Sequence, residues 1–207
     1  MPDHKPFDLR RGSSPILVSM PHNGSLIPDD IAATMTRDGR SSRDTDWFLD
    51  RLYELPELAN ASVLVAQFSR YVIDLNRAET NESLYPGQTT TGLIPTTCFD
   101  GAAIYIAETP DDVETQKRID SIWRPYHQAI EAELVRLRER HGFAILVEAH
   151  SIASQVPRLS PGVLPDFNFG TNRDAACHPT ILERVNGVLD TQDAYSHVAN
   201  GRFIGGY

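Results

Sequence analysis

The sequence predicts an α/β fold with a mostly parallel or mixed sheet. Three observations point there. Short, continuously apolar runs stand at intervals along the chain, as expected of strands covered on both faces. Segments between them carry apolar residues at three- and four-residue steps, the spacing of amphipathic helices. Polar residues capable of chemistry follow directly after the apolar runs, and in open α/β sheets ligands gather at the carboxyl ends of strands.

Taken in order, the first strand is expected over Pro15–Met20, in "PILVSM". It stops at Pro21, which has no N–H to continue a ladder, and "HNG" follows as a turn. A helix is expected over Thr45–Glu54, with Asp44 as its N-cap. Two further strands are read over Ser62–Phe68 and Tyr71–Leu75. The stretch from Asn81 to Thr109 is rich in Thr, Gly and Pro and reads as a long functional loop. A long helix is expected from Pro110 to Arg140. Its core stripe is Ile119, Ile122, Trp123, Tyr126, Ile130, Leu134 and Leu137, with a kink, or two abutting helices, at Pro125. Gly142 ends it. A strand follows over Ala144–Ala149, then a second loop over Ser154–Ala176, a helix over Pro179–Leu189, and a hairpin in "HVANGRFIGGY" turning at Asn200-Gly201.

The 207 residues suit a single domain spanning the whole chain. A net charge of −9 argues against a nucleic-acid surface, which needs a basic stripe. It leaves room for a local basic pocket around an anionic small molecule. Cys98 and Cys177 form neither a Cys-x-x-Cys pair nor a disulfide framework. The start "MPDHKPFDLRRG" lacks the apolar core of a signal peptide, and no run approaches the ~18 apolar residues of a membrane helix. The expectation is a cytoplasmic protein with no membrane partner.

Candidate chemistry concentrates at strand ends. His22 follows the first strand and His150, in "LVEAHS", follows the Ala144–Ala149 strand. Two imidazoles and one carboxylate with an open fourth position make a hydrolytic zinc site. The carboxylate candidates are Asp44 and Asp46 in "RDTDWF". Each residue also has a plainer reading: a strand-end histidine as a surface hydrogen-bonder, Asp44 as an N-cap, Arg77 as an ion-pair partner of Asp74, and His127 as a hydrogen-bonder in a packed interface.

The whole pattern of words narrows this. "VSMPHNGSLIP", "DTDWFLDRLY", "SRYVIDLNR", "LYPGQTTTGLIP", "RPYHQAI" and "EAHSIASQVPRLSPGVLPDFNFGT", in that order, resemble the N-formylglutamate amidohydrolase family, itself similar to zinc carboxypeptidases and aspartoacylases. The resemblance implies a three-layer α/β/α, phosphorylase/hydrolase-like fold and one catalytic Zn²⁺, or another divalent metal. It implies His22 and His150 as metal ligands, Arg70 as the group polarising the scissile carbonyl, and Asn76 with Arg77 as the clamp on a substrate carboxylate. Two departures stand out. The relatives' His-x-x-Glu is broken by Ser25, so the second ligand is expected from Asp44, or from Asp46 close behind. Nothing matches the later segment that supplies the relatives' general-base Glu, so the expectation is either a C-terminally truncated chain or a substitute role for Glu148, which sits two residues from His150 on the same strand face and could instead orient that histidine. Arg158 is expected at a second substrate carboxylate, or in an ion pair with Asp166; Pro86-Gly87-Gln88 and Thr171 are expected to line the pocket.

The implied function is zinc-dependent hydrolysis of N-formyl-L-glutamate to L-glutamate and formate, a step of histidine degradation. The alternatives are a related zinc amidase or carboxypeptidase-type hydrolase acting on another acidic N-acyl amino acid, and a non-catalytic homologue that only binds ligand. The implied partner is an acidic small molecule, with the oligomeric state, monomer or dimer, left open.

Overall fold

A computed structural model describes residues 4–53, 60–82 and 90–205. The chain divides into two compact units. Of the described residues, the first unit takes those up to 82 and 91–152, and the second takes residue 90 and those from 153 onward.

The first unit is built on a four-stranded mixed sheet. Its strands are β1 (Phe7–Arg10), β2 (Ile16–Met20), β3 (Ser62–Ala66) and β4 (Ile145–Glu148), in the order β1-β3-β2-β4. β2 runs parallel to both neighbours, with Val18 opposite Val63 and Val147, while β1 pairs antiparallel with β3. The side-chain period of two divides the sheet into two faces. Leu17 and Leu64 join the larger core with Tyr126, Ile130 and Leu137. Val18 and Met20 join Leu49, Ala61 and Ala149 on the opposite face. Burial on both sides is why β2 shows no polar alternation; each large aliphatic buried there contributes roughly 1.5–3 kcal/mol.

The larger core is covered by α4 (Asp112–Arg118), a π-helical turn (Ile119–Trp123) and α5 (Arg124–His141), two helices abutting through the π turn, which is one of the two forms expected from Pro125. Asp111 caps α4 by accepting from Glu114 N. Gly142, at φ 82°, closes α5 in the left-handed region as its sequence position suggests. One buried charge joins helix to sheet: Glu133 accepts from Ser62 Oγ at 2.5 Å and pairs with Arg136, which also donates to Gly12 O at 2.9 Å. Short helices α1 (Asp29–Ala32), α2 (Arg37–Arg40) and α3 (Leu49–Leu52) complete the unit.

Three expectations are corrected. Tyr71–Leu75 is not a strand; it runs through turns, although Tyr71, Val72, Ile73 and Leu75 are all buried. Its apolar run reflects burial beneath α4 and α5, and apolarity without a period does not distinguish a strand from a buried loop. The Thr45–Glu54 helix shrinks to α3, whose N-cap is Phe48 at φ 65°, because Asp44 and Asp46 are engaged elsewhere; Glu54 lies outside the described residues. Among the described residues the hairpin expected at Asn200-Gly201 is also absent; residues 206 and 207 of that stretch lie outside them. In the second unit β6 (His197–Ala199) pairs in parallel with β5 (Phe167–Phe169), and α6 (Pro179–Leu189) lies between them in sequence. Asn200 turns the chain at φ 51°, but its Oδ1 accepts from Thr171 N at 2.9 Å. β1, absent from the sequence reading, alternates half-buried and exposed residues as an edge strand does.

Candidate active site

Because β2 and β4 are parallel neighbours, with Ser19 opposite Glu148, the residues after each strand emerge at one edge. His22 and His150 therefore meet, with ring centroids 5.0 Å apart. Behind His22 the chain presses on the end of β3: a Cβ on Gly24 would lie 2.4 Å from Gln67 C and 2.5 Å from Phe68 O. Only glycine allows that approach. The "DTD" segment crosses the same edge, where Asp46 N donates to His22 O at 3.0 Å. His22, Asp46 and His150 each offer a ligand atom, and these atoms lie within 4.8 Å of one another.

The electrostatics assign proton positions. Asp74 is fully buried yet ionised. Desolvation opposes its charge, but Arg70 and His22 outweigh this and hold its carboxyl well below the usual range. A carboxylate only accepts, so His22 Nε2–H donates to Asp74 Oδ1 at 2.6 Å. Burial, with Arg70 nearby, lowers the His22 pKa to about 4, so the ring is neutral and its Nδ1 carries a lone pair. That atom lies 3.8 Å from Asp46 Oδ2. His150 Nδ1 donates to the same oxygen at 3.0 Å. Desolvation disfavours the His150 cation, but Asp46 outweighs it and raises the pKa. His150 is the open member of the group, its side chain 35% exposed against 3% for His22. Two imidazoles, one carboxylate and one accessible side match the donor set of hydrolytic zinc centres. A cation there would replace the proton now shared by His150 and Asp46.

Arg70 is buried, donates to Asp74 Oδ2 at 2.7 Å and lies over the Phe99 ring, 4.8 Å from its centroid. Among the described residues its Nε has no hydrogen-bond partner. Asn76 N donates to Asp74 Oδ1 at 3.0 Å, and its side-chain amide is 3.2 Å from His150 Nε2. Arg77 does not pair directly with Asp74; it donates from Nε to Thr91 O at 2.7 Å and from Nη2 to Thr91 Oγ1 at 3.0 Å. Asp44 stands apart from the cluster, with Oδ2 accepting from Phe99 N at 2.7 Å. Glu148 lies beneath His150, accepting from Ser19 Oγ at 3.1 Å, and Ser19 Oγ is 2.9 Å from Tyr126 Oη. Arg158 and Thr171 belong to the second unit, where Arg158 is exposed and Thr171 is buried against Asn200. There Asp166 is engaged by Ser196 N and Oγ. Pro86-Gly87-Gln88 lie outside the described residues.

A family profile for N-formylglutamate amidohydrolase matches residues 14–207. The chain belongs to the N-formylglutamate amidohydrolase family. Two relatives are the N-formylglutamate deformylases of Pseudomonas putida and Pseudomonas aeruginosa. Each is 45% identical, over 98% and 97% of this chain, and the chain spans 76% of each of them. Among solved structures, the N-formylglutamate amidohydrolase from Ralstonia eutropha JMP134 aligns with a TM-score of 0.82 at 24% identity. That alignment covers 98% of this chain and 79% of that one. The gene product Atu2144 from Agrobacterium tumefaciens aligns with a TM-score of 0.71 at 16% identity, over 97% of this chain and 75% of that one. These likenesses establish the α/β fold of this amidohydrolase family member.

Asp74 is the site residue the sequence reading undervalued, naming it only as a partner for Arg77. Its signal was the four-residue spacing from Arg70 in "RYVID", which became an ion pair although the segment is not a helix.

Proposed function

We propose that this family member hydrolyses N-formyl-L-glutamate to L-glutamate and formate at the His22–Asp46–His150 cluster, with one divalent ion, preferably Zn²⁺, held by those three residues. The observation that carries the reading is the convergence of those side chains at one sheet edge, in a chain 45% identical to proteins named N-formylglutamate deformylase. When bound, such an ion would supply Lewis acidity and a nucleophilic water at neutral pH.

The chain's own residues do the rest. Asp74 fixes His22 as the Nε2–H tautomer, leaving Nδ1 toward the cluster. Arg70, buried and charged, stabilises negative charge as it develops on the formyl oxygen, where exclusion of water strengthens the interaction. Asn76 and Arg77 hold a carboxylate of the substrate, which converts encounter into orientation. Glu148 is the carboxylate this chain offers for proton transfer. Burial raises its pKa, which brings a glutamate nearer the operating pH of a general base, and Ser19 holds its Oε1. A divalent ion held there would add its charge to those of Arg70 and Arg77, a local field that favours an acidic substrate despite the negative net charge of the chain. The proposed setting is histidine degradation in the cytoplasm; no helix among the described residues is long and apolar enough to cross a membrane.

The test is formate release from N-formylglutamate, N-acetylaspartate and short peptides, with and without added Zn²⁺, alongside metal analysis of the purified chain. Preferential, metal-dependent turnover of the formyl substrate is expected. Equal rates on all three, or glutamate binding without turnover, would replace this reading with one of the two alternatives.

A further inference from the structure

The segment Ser69–Arg77 carries Arg70, Asp74, Asn76 and Arg77, yet it belongs to no strand or helix. Backbone carbonyls buried in such a loop need partners, and three of them find donors on one helical element. Val72 O accepts from Arg118 Nη1 at 3.0 Å, Leu75 O accepts from His127 Nε2 at 2.9 Å, and Arg77 O accepts from Trp123 Nε1 at 2.9 Å. Arg118 is itself buried, braced by Glu114 and Tyr105 Oη, and the Trp123 and His127 rings stack with centroids 3.9 Å apart.

These donors are five and four residues apart. On an unbroken α-helix Trp123 would stand about 140° around the axis from Arg118, and His127 about 180°. The π turn over Ile119–Trp123 changes this. Arg124 N donates to Ile119 O, so the turn holds one residue more than an α turn. With that extra residue, Trp123 at the end of the turn and His127 beyond it take the places of fourth and eighth neighbours, about 40° and 80° from Arg118. Pro125 gives the local reason: it has no N–H for Ser121 O, and its ring would crowd that carbonyl in a regular α turn.

We propose that Arg118, Trp123 and His127 are positioning residues for the candidate active site, aligned by the π turn so that their donors fix the carbonyls of the Ser69–Arg77 loop. This rests on the site assignment of the proposed function. None of the three acts on substrate; each holds the backbone from which Arg70, Asp74, Asn76 and Arg77 project. A shift of that backbone by about 1 Å is enough to lower a rate on the order of 10²-fold.

The experiment compares paired variants of the full chain: His127→Gln with His127→Leu, Arg118→Lys with Arg118→Met, and Trp123→Phe. Gln and Lys retain a donor in reach of the same carbonyl; Leu, Met and Phe do not. Two readouts are taken: hydrogen exchange at the amides of 70–77, and kcat/KM for N-formylglutamate. The donor-less variants are expected to exchange at least 10-fold faster in that loop and to lose 10- to 100-fold in kcat/KM, with near-native folding by circular dichroism. The Gln and Lys variants are expected to recover most of both. Native exchange and kcat/KM in the donor-less variants, or equal losses in both members of each pair, would overturn the proposal. If the wild-type chain fails to turn over N-formylglutamate, the proposed function falls, while the exchange data still decide whether these three side chains hold the loop.

Discussion

His22 Nε2 donates to Asp74 Oδ1 across 2.6 Å, in a place where both side chains are almost wholly buried. The bond does two things at once. It neutralises part of a charge that could not otherwise be buried, and it selects the imidazole tautomer whose free nitrogen lies beside Asp46 and His150. Asp74 is in turn held by Arg70, by Asn76 N and by Thr91 Oγ1 at 3.3 Å. One carboxylate therefore connects the loop after β3 to the histidine after β2.

Replacing Asp74 should separate its two roles. Asp74→Asn keeps the side-chain shape and an acceptor but removes the charge, and metal affinity is expected to fall on the order of 10- to 100-fold, as for other partners of ligating histidines. Asp74→Ala also leaves the buried Arg70 guanidinium without its counter-charge, at a cost on the order of 3–5 kcal/mol. Competitive zinc titration reads the first effect and denaturant unfolding the second. Equal zinc affinity in wild type and Asp74→Asn would show that the charge of Asp74 is not what supports the metal site, since the amide oxygen can still accept from His22 Nε2–H.

The contribution of His22 and His150 to the stability of the metal-free protein should be greatest near pH 6.5. The folded His22 pKa, about 4, lies below the unfolded value of 6.5, so the unfolded chain binds more protons between these limits. Stability is thus lost as the pH falls through that window, by about 3 kcal/mol in the limit. His150 has the opposite sign. Its folded pKa is raised, so its contribution is complete below 6.5 and lost as the pH rises through the folded value. Asp74, with its depressed pKa, adds a further loss below the ordinary carboxylate range. Unfolding free energy measured at pH steps from 4 to 8 in chelator checks the shape, and His22→Gln should flatten the acid limb.

Asp44 and Asp46 are two residues apart in sequence and differ sharply in surroundings. Asp46 is buried, and its charge is opposed by desolvation but favoured more by His150 and His22, which lower its pKa. Asp44 instead holds the Phe99 amide. Asp46→Asn is expected to abolish zinc binding and activity. Asp44→Asn should keep both within a few-fold, losing about 1 kcal/mol of stability for one weakened hydrogen bond. Metal content and formate release of the two variants decide between them.

The sheet and the two histidines were legible because strand burial and the position just past a strand end are local properties. β2, β4, His22 and His150 follow from "PILVSMPH" and "AILVEAH" without knowledge of the rest. The choice between Asp44 and Asp46 was not local: it depends on which carboxylate meets His150, more than a hundred residues away. Tyr71–Leu75 misled for a related reason. Its carbonyls bond to side chains of a distant helix rather than to a neighbouring strand, and nothing in an apolar run records which donor serves it. Glu133 went unremarked because a single acid in an amphipathic helix looks solvated; its burial depends on Ser62 and Arg136 being opposite.

Gly24 gives the most direct link between packing and chemistry. Its missing side chain lets the turn after His22 lie against Gln67 and Phe68, where Leu26 N and Ser69 N exchange hydrogen bonds with Gln67 O and Leu26 O at 3.0 and 2.9 Å. In Gly24→Ala the new methyl meets backbone atoms at 2.4–2.6 Å, which no rotamer change relieves, so one of the two segments must move. Overpacking of this kind costs about 1–3 kcal/mol. The displacement falls between His22, two residues before, and Ser69, where the loop carrying Arg70 and Asp74 begins. The variant should therefore lose zinc affinity and kcat/KM by a larger factor than a surface substitution of equal destabilisation. Comparing Gly24→Ala with a matched destabilised variant in the second unit, at a temperature where both are folded, separates site distortion from general instability. Equal kcat/KM in the two would show that the close approach of Gly24 serves stability alone.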